Sequence, residues 1–392
     1  MANKMLKKNS FTALAIETSC DETAMAVIQS EKTTSGWKFD VLSNVVASQI
    51  DIHKKWGGVY PELASRAHLE AMIPVLREAL SPLGEISNNK LLISSKNLNA
   101  KFPKEKINMA MQKVDVIAVT EKPGLIGSLL MGIETAQILG TMFDKPVINV
   151  NHLEGHIYAS FAGKIPNNKL LISNKIPNPK IKIENLKFKI PKTGIFPVLA
   201  LVVSGGHTSL ILMKDHLEYE TVAQTIDDAA GEAFDKVARI IGLPYPGGPE
   251  IEKLAKKGNQ NAYQFTVGMN GKSDFSFSGL KTAVLYLTKD VKTGRARKYN
   301  KADLAASFQK IVADTLIQKT QIAVRQYEPK TLILSGGVSA NAYIRKRFQD
   351  VFSQSTTGCQ QPTILIPPKT LSTDNAVGIG LAGIIKLAKQ RF

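Results

Sequence analysis

Cysteine is nearly absent from this chain: Cys20 and Cys359 are the only two in 392 residues. Two thiols are too few for a disulfide framework and lack the spacing of zinc ligands, which fits a reducing compartment. Long apolar runs are missing too. No stretch of about 18 uninterrupted apolar residues occurs, so none reads as a membrane span. Met1 to Ser10 carries charge without the apolar core of a secretory signal. A cytoplasmic protein with no membrane partner is the expectation. Acidic residues are also in deficit, with 33 Asp and Glu against 50 Lys and Arg and a net charge of +17. A composition of 44% hydrophobic and 21% charged residues is otherwise that of an ordinary globular protein with room for two domains.

The excess positive charge invites a nucleic-acid reading, but its distribution weakens that reading. Ile86 to Lys113 carries a net +5 and Lys164 to Lys192 a net +7, which together make +12 of the +17. Both segments are rich in Asn, Lys, Ile and Ser. They share a phrase, Asn88-Asn89-Lys90-Leu91-Leu92-Ile93-Ser94 and Asn167-Asn168-Lys169-Leu170-Leu171-Ile172-Ser173. A repeated phrase in two biased segments reads as inserted low-complexity sequence with a solvated surface. The domain plan is then a first lobe over 11–162 with an insertion at about 86–113, an insertion over 163–194, and a second lobe over 195–392.

One short stretch organises the chemistry. Asn151-His152-Leu153-Glu154-Gly155-His156 follows the apolar run Pro146 to Val150, and Ile157 to Ala162 continue a helix, so His152 and His156 stand at i and i+4 on one helical face. Two neutral imidazoles so spaced form half of a metal site, and a carboxylate from elsewhere is needed to close it. The zinc-peptidase signature puts its catalytic Glu directly after the first His. Here that position is Leu153, and Glu154 is turned about 100° further around the helix. A metallopeptidase is therefore disfavoured. Asp374, beside Ser372 and Thr373 at a helix start, is the candidate carboxylate; its competing role is a helix cap.

The rest of the chain repeats itself. Leu14 to Glu17 and Ala24 to Gln29 flank the polar turn Thr18-Ser19-Cys20-Asp21-Glu22-Thr23, and a third strand follows at Phe39 to Ser48. Val198 to Val203 and Ser209 to Met213 flank Ser204-Gly205-Gly206-His207-Thr208 in the same way, with Glu218 to Gln224 as a third strand. Helices and strands alternate after each. This predicts duplicated α/β lobes with a cleft between them. Ser204-Gly205-Gly206, Gly247-Gly248 and Ser335-Gly336-Gly337 are turns whose bare backbone amides can approach an anion. One such turn is only a tight turn, but three at strand ends favour a nucleotide. Asp227, Asp228, Glu232 and Asp235 read as an acidic helix face.

Taken in order, these motifs resemble one family. Ile16 to Thr23, Gly57-Gly58-Val59-Tyr60-Pro61-Glu62-Leu63-Ala64-Ser65-Arg66, the His152 to His156 motif, Val203 to Thr208, Ile226 to Lys236, Phe275 to Lys281, Ser335 to Asn341 and Thr373-Asp374-Asn375 are similar to the bacterial tRNA threonylcarbamoyladenosine-synthesis transferases. The resemblance covers nearly the whole chain outside the two Lys/Asn-rich segments. It implies an α/β, actin-like and sugar-kinase-like fold with duplicated ribonuclease-H-like lobes. It implies transfer of a threonylcarbamoyl group from threonylcarbamoyl-AMP to the exocyclic amine of the adenosine beside the anticodon, in tRNAs reading codons that begin with A. By position it implies His152, His156 and Asp374 as ligands of one divalent ion, Fe(2+) foremost and zinc second. Val202, Val203, Ser204, Gly205, Gly206, Asp235, Gly248, Glu252 and Asn341 match substrate-binding positions, with Glu252 where relatives often carry Asp. Asp21 matches a residue needed for activity. The implied partners are tRNA, a shorter inactive paralogue that pairs through the first lobe, and a small P-loop ATPase. The chain departs from the family at Lys122, usually Gly, and at Ala67, usually Asp; neither is a ligand position.

Overall fold

Strand β1 (Ser10–Glu17) is apolar at five of its eight positions, and seven of the eight residues are buried. Such a strand has no solvent face because both sides of its sheet are covered. It pairs antiparallel with β2 (Glu22–Thr33) and parallel with β4 (Val116–Lys122). β3 (Gly36–Ser48) extends the antiparallel side and β5 (Val147–Asn151) the parallel side, giving the order β5-β4-β1-β2-β3. In computed structural model form the protein is described over residues 8–84, 104–162, 179–183, 186–269, 271–290, 293, 295–354 and 361–389. The repeated Asn-Asn-Lys phrases and Cys359 lie outside the described residues.

The short α1 (Ile50–Lys54) follows β3, and helices α2 (Pro61–Leu80), α3 (Lys104–Gln112), α4 (Ile126–Phe143) and α5 (His152–Ala159) accompany this sheet. Leu14, Ile16, Met25 and Val27 pack with Met72, Val75 and Leu76 of α2 and with Ile107 and Met111 of α3 in one core. The basic segment at 86–113 is therefore not wholly an insertion: its last third is a core helix, because Ile107, Ala110 and Met111 recur at helical spacing and are buried. The second basic segment is corrected likewise. It contributes β6 (Pro179–Ile183) and β7 (Leu186–Pro191), both antiparallel to β3. Leu186 and Ile190 of β7 are buried, and Phe188 stacks on Phe39 at 5.6 Å between ring centroids. Alternation of apolar residues with Lys, read above as compositional bias, is here the period of a half-buried strand.

The second sheet repeats the first. β8 (Val198–Val203), β9 (Thr208–Asp215) and β10 (Glu218–Gln224) form an antiparallel meander, β11 (Thr331–Ser335) lies parallel to β8, and β12 (Thr363–Leu365) parallel to β11. Its order β12-β11-β8-β9-β10 matches β5-β4-β1-β2-β3 strand for strand. Helices α6 (Ala230–Ile240), α7 (Gly247–Ala255), α8 (Ser278–Thr288), α9 (Lys301–Tyr327), α10 (Ala342–Phe352) and α11 (Lys369–Ser372) belong to this half. Its core joins Leu199, Leu201 and Val203 to Phe234, Phe308 and Leu316.

The last helix, α12 (Ala376–Lys389), changes the domain plan. The chain divides into one unit of Met1–Ile52, Val59–Thr193 and Asp374–Phe392 and another of His53–Gly58 and Gly194–Thr373. Residues 374–392, expected in the second lobe, thus belong to the first. The cause is a row of glycines: a side chain on Gly380 would strike Ile28 and Ala15, and one on Gly383 would strike Ala118. Bare backbone lets α12 lie close on β1, β2 and β4, the face of the sheet opposite α2.

Candidate metal centre and glycine turns

Asn151 starts α5 with a capping box. Its side chain accepts from Leu153 N at 2.8 Å, and Glu154 accepts from Asn151 N at 3.2 Å. Helix geometry then stacks His152 and His156 on one face, with ring centroids 4.6 Å apart. Glu154 is turned back to its own helix start, which removes it from the role a peptidase would require.

Asp374 completes the group. Its Oδ1 stands 3.3 Å from His156 Nε2 and 3.6 Å from His152 Nε2. Capping of α12 falls to the neighbour: Asn375 Oδ1 accepts from Val377 N at 3.0 Å. The carboxylate reaches the histidines from within the first unit, since α12 packs against α5 there. Ligand atoms of the three residues lie within 4.8 Å of one another. His156 Nε2 is buried and has no hydrogen-bond partner among the described residues. A buried imidazole nitrogen that faces a carboxylate without hydrogen-bond geometry is costly unless a ligand takes it. Two imidazoles and one carboxylate with a converging orphan nitrogen fit a divalent ion.

The sequence reading assigned no role to Glu17, which holds His152 from behind. Glu17 is 1% exposed. Its Oε2 lies 3.0 Å from His152 Nδ1 and accepts from Thr120 Oγ1 at 2.7 Å, while Oε1 accepts from Ser19 N at 2.6 Å. Burial disfavours protonation of His152, but the charges of Glu17 and Asp374 outweigh it and raise its pKa to about 9. Burial likewise tends to raise Glu17, yet the adjacent imidazole leaves its carboxyl below the usual value. An acid closing an otherwise apolar strand was the available signal, because a charge is buried only with partners.

Asp21 lies half-buried in the β1–β2 turn, and its carbonyl accepts from Gln49 N at 3.0 Å. Burial first, and then the charges of Asp21 and Asp374, push the Cys20 thiol pKa well up. Cys20 is thus a protonated neighbour of both acids. The turn is braced by His68, whose Nε2 is 3.0 Å from Cys20 O and whose Nδ1 is 2.8 Å from Thr23 Oγ1. Gly124 presses on it as well: a Cβ there would come 2.5 Å from Ser19 O, while Leu125 N donates to that oxygen at 2.8 Å. Lys122 ends β4 without positive φ, so the departure from Gly at this position introduces no backbone strain.

The glycine turns fall in the second unit. Val202 and Val203 are buried at the end of β8. Ser204 N donates to His207 O at 2.8 Å, and Ser204 Oγ accepts from His207 N at 3.2 Å. Gly336, at φ +85°, crosses the backbone of Val203 so closely that only glycine fits. The Ser204-Gly205-Gly206 and Ser335-Gly336-Gly337 turns therefore adjoin at the carboxyl ends of the parallel strands β8 and β11, where α/β sheets bind ligands. Open space stands where side chains would project from Gly205, Gly206, Gly248 and Gly337.

Asp235 Oδ1 accepts from Gly247 N at 2.7 Å, tying α6 to the third turn. Glu252 Oε1 accepts from Ala342 N at 3.1 Å. Asn341 caps α10 through Tyr343 N and Ile344 N and donates from Nδ2 to Gln309 Oε1 at 2.9 Å. A cavity of about 530 Å³ bordered by Glu252, Gln260, Gln309 and Tyr343 opens beside these groups. The expected acidic face is resolved into separate bonds. Asp227 accepts from Phe277 N and from the hydroxyls of Ser276 and Ser278, and Lys236 pairs with Asp228 and Glu232.

Two sheets of one strand order, with glycine turns at strand ends, define an actin-like, sugar-kinase-like protein. Solved structures agree on the fold. HypF from T. kodakarensis aligns with a TM-score of 0.55 at 13% identity, over 97% of this chain and 48% of that one. Full-length HypF in a phosphate- and nucleotide-bound form aligns at 0.52 and 13%, over 97% and 47%. Sequence is more specific. The profile of the family described as tRNA N6-adenosine threonylcarbamoyltransferase matches residues 40–90, 99–175 and 180–381. The protein of that name from Bacillus subtilis (strain 168) is 41% identical over 386 residues, 98% of this chain and 93% of its own length. That from Thermosipho africanus (strain TCF52B) is 42% identical over 379 residues, 96% and 94%. The chain belongs to the tRNA N6-adenosine threonylcarbamoyltransferase family. Only 91–98 and 176–179 interrupt the profile match, so most of each basic segment is family sequence.

Proposed function

We propose that this chain transfers the threonylcarbamoyl group of threonylcarbamoyl-AMP to the N6 amine of the adenosine beside the anticodon, in tRNAs reading codons that begin with A, and releases AMP. The family match over nearly the whole chain carries this reading. An adenine amine is a weak nucleophile because its lone pair is delocalised into the ring. The donor must therefore arrive activated and the amine must be held in line. The amine nitrogen attacks the carbamoyl carbon of the mixed anhydride, the bond from that carbon to the phosphate oxygen breaks, and the amine gives up one proton.

His152, His156 and Asp374 would hold the divalent ion. Two imidazoles and one carboxylate with further positions open suit Fe(2+), with zinc the second choice. Such an ion supplies Lewis-acid polarisation of a carbonyl or phosphoryl oxygen. The remaining work falls to the chain. Val202, Val203, Ser204, Gly205, Gly206 and Gly248 offer backbone to the donor, whose departing phosphate suits bare amides. Asp235, Glu252 and Asn341 offer hydrogen-bonding side chains beside those turns. Asp21, in the first unit with the metal ligands, orients the amine or accepts its proton.

The shorter paralogue and the small P-loop ATPase belong to the same reading. Leu69 and Ile73 of α2 and Ile126, Leu130, Ile138 and Met142 of α4 are exposed. Ser65 of α2 lies against Gly127 of α4, so the two helices run side by side. An apolar surface of this kind on neighbouring helices supports a helical protein partner. α4 is also long and apolar enough by composition to cross a membrane, but it packs on β4 and α2 and carries Glu134. A cytoplasmic location suits a tRNA substrate.

The test is reconstitution. The purified protein with its two partners, threonylcarbamoyl-AMP and unmodified tRNA should yield the modified nucleoside and AMP in equal amounts, with peptides left intact. Peptide cleavage abolished by His156→Ala would replace this reading with a peptidase. ATP binding with no tRNA modification would replace it with a passive scaffold.

A further inference from the structure

We propose that Glu17 is the positioning residue of the metal centre: its carboxylate fixes the ring orientation and tautomer of His152, so that Nε2 presents its lone pair towards Asp374 and His156. The inference rests on the reading of His152, His156 and Asp374 as metal ligands. It goes beyond that reading in assigning a role to a residue that touches no ligand of the ion except His152.

The chemistry of the contact decides the tautomer. A carboxylate oxygen can only accept, so at 3.0 Å from Glu17 Oε2 the His152 Nδ1 must carry the hydrogen. Ser19 Oγ, at 3.2 Å from the same nitrogen, adds a second neighbour that this hydrogen can reach. With Nδ1 committed, Nε2 is the nitrogen left for an ion, which binds there in place of any proton, and it is Nε2 that lies 3.6 Å from Asp374 Oδ1. A metal-bound histidine commonly donates its other ring N–H to a carboxylate, which fixes the ring and raises its basicity as a ligand.

Glu17 is itself held rigidly. It ends β1, where its partner across the sheet is Ala24 on β2, and Thr120 Oγ1 from β4 and Ser19 N both donate to it. A buried carboxylate without such donors would be strongly disfavoured. The alternative role is structural, a clamp joining β1, β4 and the Ser19 turn. The two roles separate because Thr120 and Ser19 N serve the clamp, whereas His152 serves the metal.

The experiment titrates the metal-free full-length protein with Co²⁺, following the visible absorption bands, and with Zn²⁺ by competition against a chelator. Glu17→Gln keeps the volume, but its amide must satisfy Ser19 N, Thr120 and His152 with only one oxygen. Affinity should fall about 10-fold to 100-fold, and Glu17→Asp should recover part of it. Thr120→Val should lower thermal stability while leaving the dissociation constant within about 2-fold. A ¹⁵N-histidine spectrum of the wild-type protein with Zn²⁺ should show His152 protonated at Nδ1 and metal-bound at Nε2, a readout that needs no variant to fold. Glu17→Gln affinity equal to wild type, or His152 bound through Nδ1, would overturn the role of Glu17 alone. A wild-type protein that binds neither ion would overturn the metal reading on which it rests.

Discussion

The backbone of Gly378, in the first turn of α12, lies directly on the carbonyl of Gly155 in α5, so closely that no side chain fits at residue 378. Gly155 in turn faces Ile379. His152 and His156 flank one glycine and Asp374 precedes the other by one helical turn, so this crossing sets the distance between the two histidines and the aspartate.

Gly378→Ala should therefore damage the centre without altering a ligand. Forcing a methyl between the helices costs about 1–3 kcal/mol in a packed core, and relief by separating them draws Asp374 from the histidines. Metal content by mass spectrometry should drop and the thermal midpoint should fall with it. A fully loaded Gly378→Ala protein would show that the helix crossing does not govern the site.

Asp21 should separate catalysis from binding. Asp21→Ala leaves His152, His156 and Asp374 intact and leaves the glycine turns of the second unit untouched, so metal content and AMP affinity should hold. Single-turnover transfer should slow about 100-fold to 10,000-fold if the carboxylate handles the amine proton. An unchanged rate would assign the proton to another group.

The basic segments should prove unequal along their length. Ile107→Ala and Ile190→Ala each empty a buried site and should cost about 2–4 kcal/mol in denaturant unfolding. Shortening 91–98, which interrupts the family match, should leave transfer within a few-fold. Transfer lost on that shortening, with stability intact, would make those residues part of the tRNA surface.

Asp227 gives a pH-dependent contribution. Partial burial tends to raise its pKa, but hydrogen bonds from Ser276, Ser278 and Phe277 N win and lower it. A depressed folded-state pKa means stability that is present above the unfolded value and lost as pH falls through the folded one. Asp227→Asn should be less stable than wild type at neutral pH, by a small margin because this carboxylate is exposed and its interactions are screened by water. The gap to wild type should close as pH falls below the folded pKa of Asp227. A gap that persists at that acidity would mean the Asn variant loses packing rather than charge.

Much of this protein was legible in one dimension because its signals are local. Hairpin turns and the i, i+4 histidine pair depend on neighbours a few residues apart, and the ordered motifs also carried the family. Three features needed the folded chain. Asp374 belongs to the first unit because small residues at Gly378, Gly380 and Gly383 let α12 settle on the first sheet, and nothing in its own turn reveals that destination. Glu17 meets His152 only because strand pairing brings Thr120, and helix capping brings His152, to its carboxylate. The Lys-rich stretch at 186–191 passes for low-complexity sequence until β3 supplies a partner. Only then does its alternation place Leu186 and Ile190 in the interior, while the lysines remain in water. Local propensity sets which segments form; long-range burial and hydrogen bonding, which no short window contains, decide which distant groups meet.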